Sequence, residues 1–263
     1  MIDKKDVKLI ASDIDGTLLL DQATAISKKA LKLITRLTKE NIIFVAASGR
    51  QYQNLQTLFS PVKDDIAYIC DNGCYTIYKN QILYQQTLDK ETAQKIARDI
   101  LSTNNCELQI STSKFQYLIP KTEAFYDKMC QEAGIKVKKI TDFQQIKEPI
   151  TKVAMYCPDG ISLLTSWHEK YDRYCSIHHG RNDWADFSPP GTDKGKTLQV
   201  LLQHLNISPQ NCIAFGDYSN DIKMLQSVAY PIVVNSAPEN IKKYGKYLTD
   251  TVENALEEIL NGN

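Results

Sequence analysis

Neither sign of charge dominates this chain. Its 263 residues carry 31 lysines and arginines against 31 aspartates and glutamates, for a formal net charge of zero. That balance removes the long-range positive field on which sequence-independent binding to nucleic acid depends, and it gives an anionic membrane nothing to attract. Neither nucleic acid nor membrane is expected as a partner. The sequence also lacks any run of about 18 apolar residues, the length a bilayer-spanning helix needs. Met1 to Asp6 is charged where a signal peptide would be apolar, so the expected location is the cytoplasm. Internal repeats, heptads and low-complexity linkers are missing too, and nothing indicates an oligomeric state. Cysteine is sparse, with seven in all, mostly inside apolar runs such as Ile69-Cys70 and Met155-Tyr156-Cys157. An odd number in that setting reads as reduced core residues. Cys70 and Cys74 stand closest together, but no second Cys/His pair lies near them to complete a zinc site.

What the chain does contain is 43% hydrophobic residues, enough for one large core or two modest ones. Short apolar runs alternate with amphipathic stretches in the first segment: Val7 to Ala11, Ala30 to Leu37, Ile42 to Ala47 and Ile66 to Cys70. This is the grammar of a parallel sheet built from βαβ units. The end of the chain repeats it with a helix over Thr197 to Leu205, strands at Cys212 to Phe215 and Ile232 to Val234, and helices at Ile222 to Ser227 and Val252 to Leu260. Between the two lies a different texture. A hairpin over Thr76 to Tyr84 precedes helices at Lys90 to Leu101 and Glu123 to Ala133. Strands follow at Leu108 to Ser111, Gln116 to Ile119, Val153 to Cys157 and Tyr174 to His178. The spacing predicts an α/β core over 1–81 and 189–263, with an α+β insertion over 82–188 that returns through the stiff Pro189-Pro190-Gly191.

Four short clusters could carry chemistry. Ser12-Asp13-Ile14-Asp15-Gly16-Thr17 places two carboxylates straight after an apolar strand, where ligands of open parallel sheets bind. Taken alone, the pair serves equally well as a cap or turn. Ala47-Ser48-Gly49-Arg50 ends a second strand with a hydroxyl and a glycine amide able to donate to phosphate, although Ser-Gly is also an everyday turn. Thr192-Asp193-Lys194-Gly195 opens a helix with a lysine that alone would read as surface charge. Gly216-Asp217-Tyr218-Ser219-Asn220-Asp221 follows a buried strand with hard oxygen ligands suited to magnesium. A solvated acidic loop explains one such cluster, but not four in ordered succession.

Together these residues resemble the four motifs of the haloacid dehalogenase superfamily. The match rests on Asp13-Ile14-Asp15-Gly16-Thr17-Leu18, Ser48-Gly49-Arg50, Lys194-Gly195, and Gly216-Asp217 with Asn220-Asp221. An insert after Asp71-Asn72-Gly73 makes the chain similar to the Cof-type (subclass IIB) branch. The resemblance implies a Rossmann-like core with a C2-type α/β cap, and a Mg2+-dependent phosphatase acting on small phosphorylated metabolites. Sugar phosphates, flavin mononucleotide and pyridoxal phosphate are all of suitable kind. One departure stands out: Asn235-Ser236-Ala237 replaces the Gly-Asn-Ala often found near the last core strand.

The resemblance also assigns roles. Asp13 is the nucleophile that forms an aspartyl-phosphate, and Asp15 is acid and then base. Magnesium falls to the carboxylates of Asp13 and Asp217 and the backbone carbonyl of Asp15, with Asp221 pairing Lys194 or holding a metal-bound water. Ser48, the Gly49 amide and Lys194 surround the phosphoryl oxygens, and Asn220 orients substrate or Lys194. The insert is expected to close over the crevice and select the leaving group, with His178, His179 and Arg181 as candidate substrate contacts. A phosphosugar mutase or a catalytically silent metabolite-binding module would share the fold. The intact set of Asp13, Asp15, Lys194 and Asp217 speaks against silence, and dehalogenation needs neither a second acid at Asp15 nor magnesium.

Overall fold

The computed structural model describes residues 4–20, 23–131, 136–161, 164–179 and 183–262. Along the chain come β1 (Leu9–Asp13), α1 (Lys28–Lys39), β2 (Ile43–Ala47), α2 (Tyr52–Leu58), β3 (Ala67–Cys70), β4 (Tyr75–Tyr78) and β5 (Gln81–Gln85). Next are α3 (Lys90–Ser102), β6 (Glu107–Thr112), β7 (Gln116–Ile119), α4 (Glu123–Gln131), β8 (Val137–Lys139) and β9 (Ile150–Tyr156). They are followed by α5 (Leu164–Tyr171), β10 (Ser176–His179), β11 (Trp184–Ser188), α6 (Lys194–Leu205), β12 (Cys212–Gly216) and α7 (Ile222–Gln226). The chain closes with β13 (Tyr230–Val234), α8 (Glu239–Lys242), β14 (Tyr247–Thr249) and α9 (Val252–Asn261). The helix expected to reach Ala133 is described as far as Gln131. No helix among the described residues is long and apolar enough to cross a membrane.

The chain divides into two compact units. One comprises Met1–Arg50, Leu55–Tyr84 and Asp193–Asn263, and the other Gln51–Asn54 and Gln85–Thr192. β5 lies beside β4 in the first unit's sheet, and the division between the units falls after Tyr84, inside that strand, and again after Thr192.

The first unit is built on an eight-stranded sheet in the order β14-β13-β12-β1-β2-β3-β4-β5. Its pairs from β14 through to β3 are parallel, and β4 turns back antiparallel on β3. Parallel strands of this kind are covered on both faces, which is why their sequences read as continuous apolar runs and not as alternation. Leu9, Ala11, Val45, Ala47 and Ala214 pack with Leu198, Leu201 and Leu202 of α6 and Met224 and Leu225 of α7. α1 packs on β2 and α9, placing Ala30, Ile34 and Leu37 inside. Its Ser27 caps the helix by accepting from the Ala30 amide at 3.0 Å.

The second unit carries a six-stranded sheet in the order β10-β11-β9-β6-β7-β8, antiparallel except where β7 meets β8. Here the strands do alternate. Leu108 and Ile110, Val153 and Met155, and Ala185 and Phe187 join Ile96 and Ile100 of α3 and Trp167 and Tyr171 of α5 in one core. Short elements were the ones the sequence hid: helices α2, α5 and α8 have too few turns for their periodicity to stand out, and strands β8, β11 and β14 too few residues for theirs.

The cysteines need a correction. Cys106 and Cys157 form a disulfide, while Cys70, Cys74, Cys130, Cys175 and Cys212 are free, with Cys130 exposed. The pair lies 51 residues apart in sequence, but the β6–β9 register sets Glu107 opposite Tyr156 and so makes their neighbours Cys106 and Cys157 meet.

Candidate active site

Strand register gathers three of the four expected clusters at the carboxyl ends of neighbouring strands inside the first sheet. β1 runs parallel to both β2 and β12, with Asp13 opposite Ala47 and Ser12 opposite Phe215. The carboxyl ends of these strands therefore deliver Asp13, Ser48 and Asp217 to one rim, where open parallel sheets leave a ligand crevice. α6 begins with Lys194, and its N-cap Asp193 accepts from the Lys196 amide at 2.7 Å.

Lys194 ties the clusters together. Its buried ammonium donates to Asp13 Oδ1 at 2.5 Å and to Asp221 Oδ1 at 2.7 Å. Burial alone would pull its pKa down, but the two carboxylates outweigh burial and hold the lysine above its ordinary value. The other oxygen of Asp221 accepts from the backbone amides of Asp217 and Tyr218, each at 3.1 Å. Asp221 thereby links the lysine to the loop that carries Asp217.

The two remaining acids are strained by charge. Burial raises Asp13 well above the usual carboxylate range; Asp221 and Asp217 add to the rise, and Lys194 opposes it. Burial also raises Asp217, with a further push from Asp221, against hydrogen bonds from the Thr17 hydroxyl and with Asp13. The Thr17 bond, 2.5 Å long, joins the first cluster to the last across the sheet. Carboxylate oxygens of Asp13, Asp217 and Asp221 lie within 4.8 Å of one another. Three buried or half-buried acids thus face a single lysine. An all-oxygen set with surplus negative charge fits a hard divalent cation. Gly16 permits the close approach: its φ is 98°, and a Cβ there would stand 2.4 Å from Asp217 Oδ2.

Asp15 is placed differently. Its carboxylate is partly exposed and gripped at both oxygens by Arg50, with Nη2 to Oδ1 at 2.6 Å and Nε to Oδ2 at 2.8 Å. Ser48 is buried, and its Oγ accepts from the Arg50 amide at 3.1 Å. Asn220 Nδ2 donates to Asn72 Oδ1 at 3.2 Å. Asn235 donates to Asp250 Oδ1 at 2.5 Å, on the exposed surface. In the second unit His178 sits on β10 opposite Asp186, and His179 pairs through its backbone with Ala185. Arg181 and the His179 side chain lie outside the described residues.

Three partners escaped the sequence reading: Thr17, Arg50 and Asn72. Thr17 and Arg50 were inside recognised motifs, so only their bonds were missing. Asn72 had a signal of its own, an Asn-Gly step straight after a buried strand.

A sequence model of the family described as haloacid dehalogenase-like hydrolase matches residues 10–258. The 5-amino-6-(5-phospho-D-ribitylamino)uracil phosphatase YbjI of Escherichia coli K12 is 25% identical over 244 residues, covering 92% of this chain and 90% of its own. An HMP-PP phosphatase from Enterobacter sp. strain 638 is 28% identical over 238 residues, covering 88% and 85%. Among solved structures, one from Eubacterium rectale superposes with a TM-score of 0.84 at 26% identity, covering 96% of this chain and 99% of that one. The subclass IIB sugar phosphatase BT4131 shares the fold with a TM-score of 0.80 at 20% identity, covering 96% and 98%.

Proposed function

Because the chain belongs to the haloacid dehalogenase-like hydrolase family and is a phosphatase, we propose that it hydrolyses small phosphomonoesters with magnesium, through a phosphoryl group carried on Asp13. The observation that carries this reading is the buried Asp13–Lys194–Asp221 chain beside Asp217. A strand-end carboxylate held by a fixed cation is placed to attack an electrophile while the cation attends to negative charge.

In the first step an Asp13 oxygen bonds to phosphorus and the substrate's alkoxide leaves, taking a proton from Asp15. In the second step water, giving its proton to Asp15, attacks the phosphorus and frees Asp13. Lys194, Ser48 and the Gly49 amide stabilise the charge on the equatorial oxygens in both steps. The Arg50 guanidinium holds Asp15 at both carboxylate oxygens, each of which keeps a second lone pair for the proton that Asp15 transfers. Asp13 and Asp217 would hold the magnesium by their carboxylates and Asp15 by its backbone carbonyl, while Asp221 keeps Lys194 and the Asp217 loop in place. When bound, the ion supplies positive charge that offsets repulsion between an anionic nucleophile and an anionic phosphate.

The names of the relatives support phosphorylated metabolites as the substrate class. Selection among them falls to the second unit, where His178 and its neighbours supply polar side chains outside the motif set. A panel of phosphorylated metabolites plus p-nitrophenyl phosphate tests the reading. Phosphate release should require magnesium, stop on chelation and return on its readdition. Full activity in the chelated protein would refute the metal assignment, and no release from any substrate would refute the function.

A further inference from the structure

The turn that follows β3 is held in an unusual conformation. Asp71, Asn72 and Gly73 have consecutive positive φ angles of 48°, 57° and 104°. The first two carry side chains, both buried, and non-glycine residues keep such angles only where their surroundings impose them. The surroundings here are the phosphate-binding elements. The Asn72 amide N–H donates to the Ser48 carbonyl at 3.0 Å and that of Asp71 to the Arg50 carbonyl at 3.1 Å, which clamps the chain on either side of Gly49. The Asn72 side chain lies directly over Gly49, so close that a methyl on that glycine would stand 3.2 Å from both of its polar atoms. Its Oδ1 accepts from Asn220 at 3.2 Å. On a further side the Gly73 carbonyl accepts from Thr197 Oγ1 at 2.7 Å, on the helix that presents Lys194. One turn therefore touches the second, third and fourth clusters at once.

We propose that Asn72 is a positioning residue for phosphoryl binding: its side-chain amide fixes the Gly49 peptide and the Asn220 amide at the spacing in which they receive the phosphoryl group of the substrate. This rests on the reading of Gly49 and Asn220 as phosphate-site residues. The left-handed backbone is part of the same device, because it swings the Asn72 side chain back over β2's end while its own N–H secures Ser48. Asparagine suits both demands, tolerating a positive φ better than other side-chain-bearing residues and offering an acceptor and a donor on one short arm.

Asn72→Gly separates the side chain from the backbone, since glycine keeps the positive φ without strain. The probes are orthovanadate, as a mimic of the phosphoryl group in transfer, and p-nitrophenyl phosphate. Asn72→Gly should melt close to the wild-type temperature yet bind vanadate about tenfold more weakly, with kcat falling alongside, the effect of one lost hydrogen bond and a loosened partner. Asn220→Ala should weaken vanadate similarly, and the double variant should lose less than the product of the two single losses, because both remove the Asn72–Asn220 contact. Wild-type vanadate affinity in Asn72→Gly overturns the proposal, as does a multiplicative loss in the double variant. A loss of binding that follows a fall in melting temperature, and disappears when assayed in the cold, also overturns it in favour of a purely structural turn. Wild-type protein that neither binds vanadate nor releases phosphate would instead sink the phosphatase reading beneath it.

Discussion

Both units bury polar side chains, but they arrange them in opposite ways. In the first, the carboxyl ends of parallel strands and the start of α6 bring Asp13, Lys194, Asp217 and Asp221 to a point, where charge is concentrated and pKa values are displaced. In the second, period-two alternation along antiparallel strands spreads polar groups across a face: Glu107, Gln109 and Ser111 on β6, Ser111 opposite Lys152 and Gln116, and His178 opposite Asp186. The Lys152–Asp186 pair there is balanced, one cation to one anion at 3.1 Å. A point of unbalanced charge is suited to bond making and breaking, and a neutral polar face to recognition. Substitutions in the first unit should therefore change rate on every substrate, and substitutions on the second unit's face should change choice among substrates.

The largest test of that division is Asp13→Asn, which removes the proposed nucleophile. kcat/KM should fall by at least about 10⁴-fold on all substrates alike. The same change should raise the melting temperature of chelator-treated protein, since it relieves a carboxylate that burial and two like charges penalise. A selective loss, affecting some substrates and sparing others, would break the comparison.

Magnesium and pH give the next effect. Asp13 and Asp217 keep their protons to higher pH in the folded chain than their ordinary values. Where the folded state binds more protons than the unfolded one, stability falls as pH rises. For these two groups that window runs upward from the usual carboxylate range through their raised folded pKa values, and below it they impose no penalty. The metal-free protein should lose stability across the window, and magnesium should restore it above the window, where both acids are ionised. Thermal melts with chelator or with magnesium, from about pH 4 to pH 8, should show a stabilisation by magnesium that grows with pH. A shift independent of pH, or its persistence in Asp217→Asn, would contradict the assignment of these acids to the ion.

Asp15→Asn should separate the two chemical steps. On the proposed mechanism p-nitrophenol leaves without much protonation, so Asp13 should still be phosphorylated, but the second step should lack its base. Rapid mixing should give a burst of about one nitrophenol per active site, then turnover slowed by roughly 10²- to 10⁴-fold, with phosphate trapped on the protein. Equal loss in Asp13→Asn and Asp15→Asn without trapped phosphate would leave Asp15 no role beyond its pairing with Arg50.

The same division governs what could be read from sequence. Parallel strands announce themselves as unbroken apolar runs, and Asp13, Asp15, Ser48, Lys194 and Asp217 stand at or just after their ends or at a helix start. Position alone left each open to a cap, a turn or a surface charge, and it was four such clusters in succession, with the family resemblance, that singled them out. Partnerships were illegible where they depend on which side chains meet across the chain. Thr17 reaches Asp217, and Cys106 reaches Cys157, only once strand register is set. The turn at Asp71-Asn72-Gly73 was visible as a turn, but not the Asn72 side chain folded over Gly49. Along the second unit's strands the alternation of Glu107 to Ser111 was available, yet its polar half reads as a solvated surface until Gln109, Ser111, Gln116 and Lys152 prove buried.

That buried polar face yields the smallest and most discriminating prediction. Gln116 Oε1 and Ser188 Oγ are buried without a hydrogen-bond partner, and an unsatisfied buried polar atom costs about 1–3 kcal/mol. A residue kept only for stability would not carry that cost, so Gln116→Leu, which trades the amide for an apolar side chain of similar size, should leave the melting temperature unchanged or raise it. If the face recognises the leaving group, the same variant should lose about five- to tenfold in kcat/KM on substrates with hydroxyl- or amide-bearing leaving groups, the equivalent of one hydrogen bond. p-Nitrophenyl phosphate, which offers that face little to bind, should be turned over at the wild-type rate. His178→Ala should reorder the same panel without a common loss. A uniform fall across the panel in either variant would place these residues with the catalytic point of the first unit, and an unaltered panel would make the polar face structural; in both cases rate and choice would no longer divide along the two units.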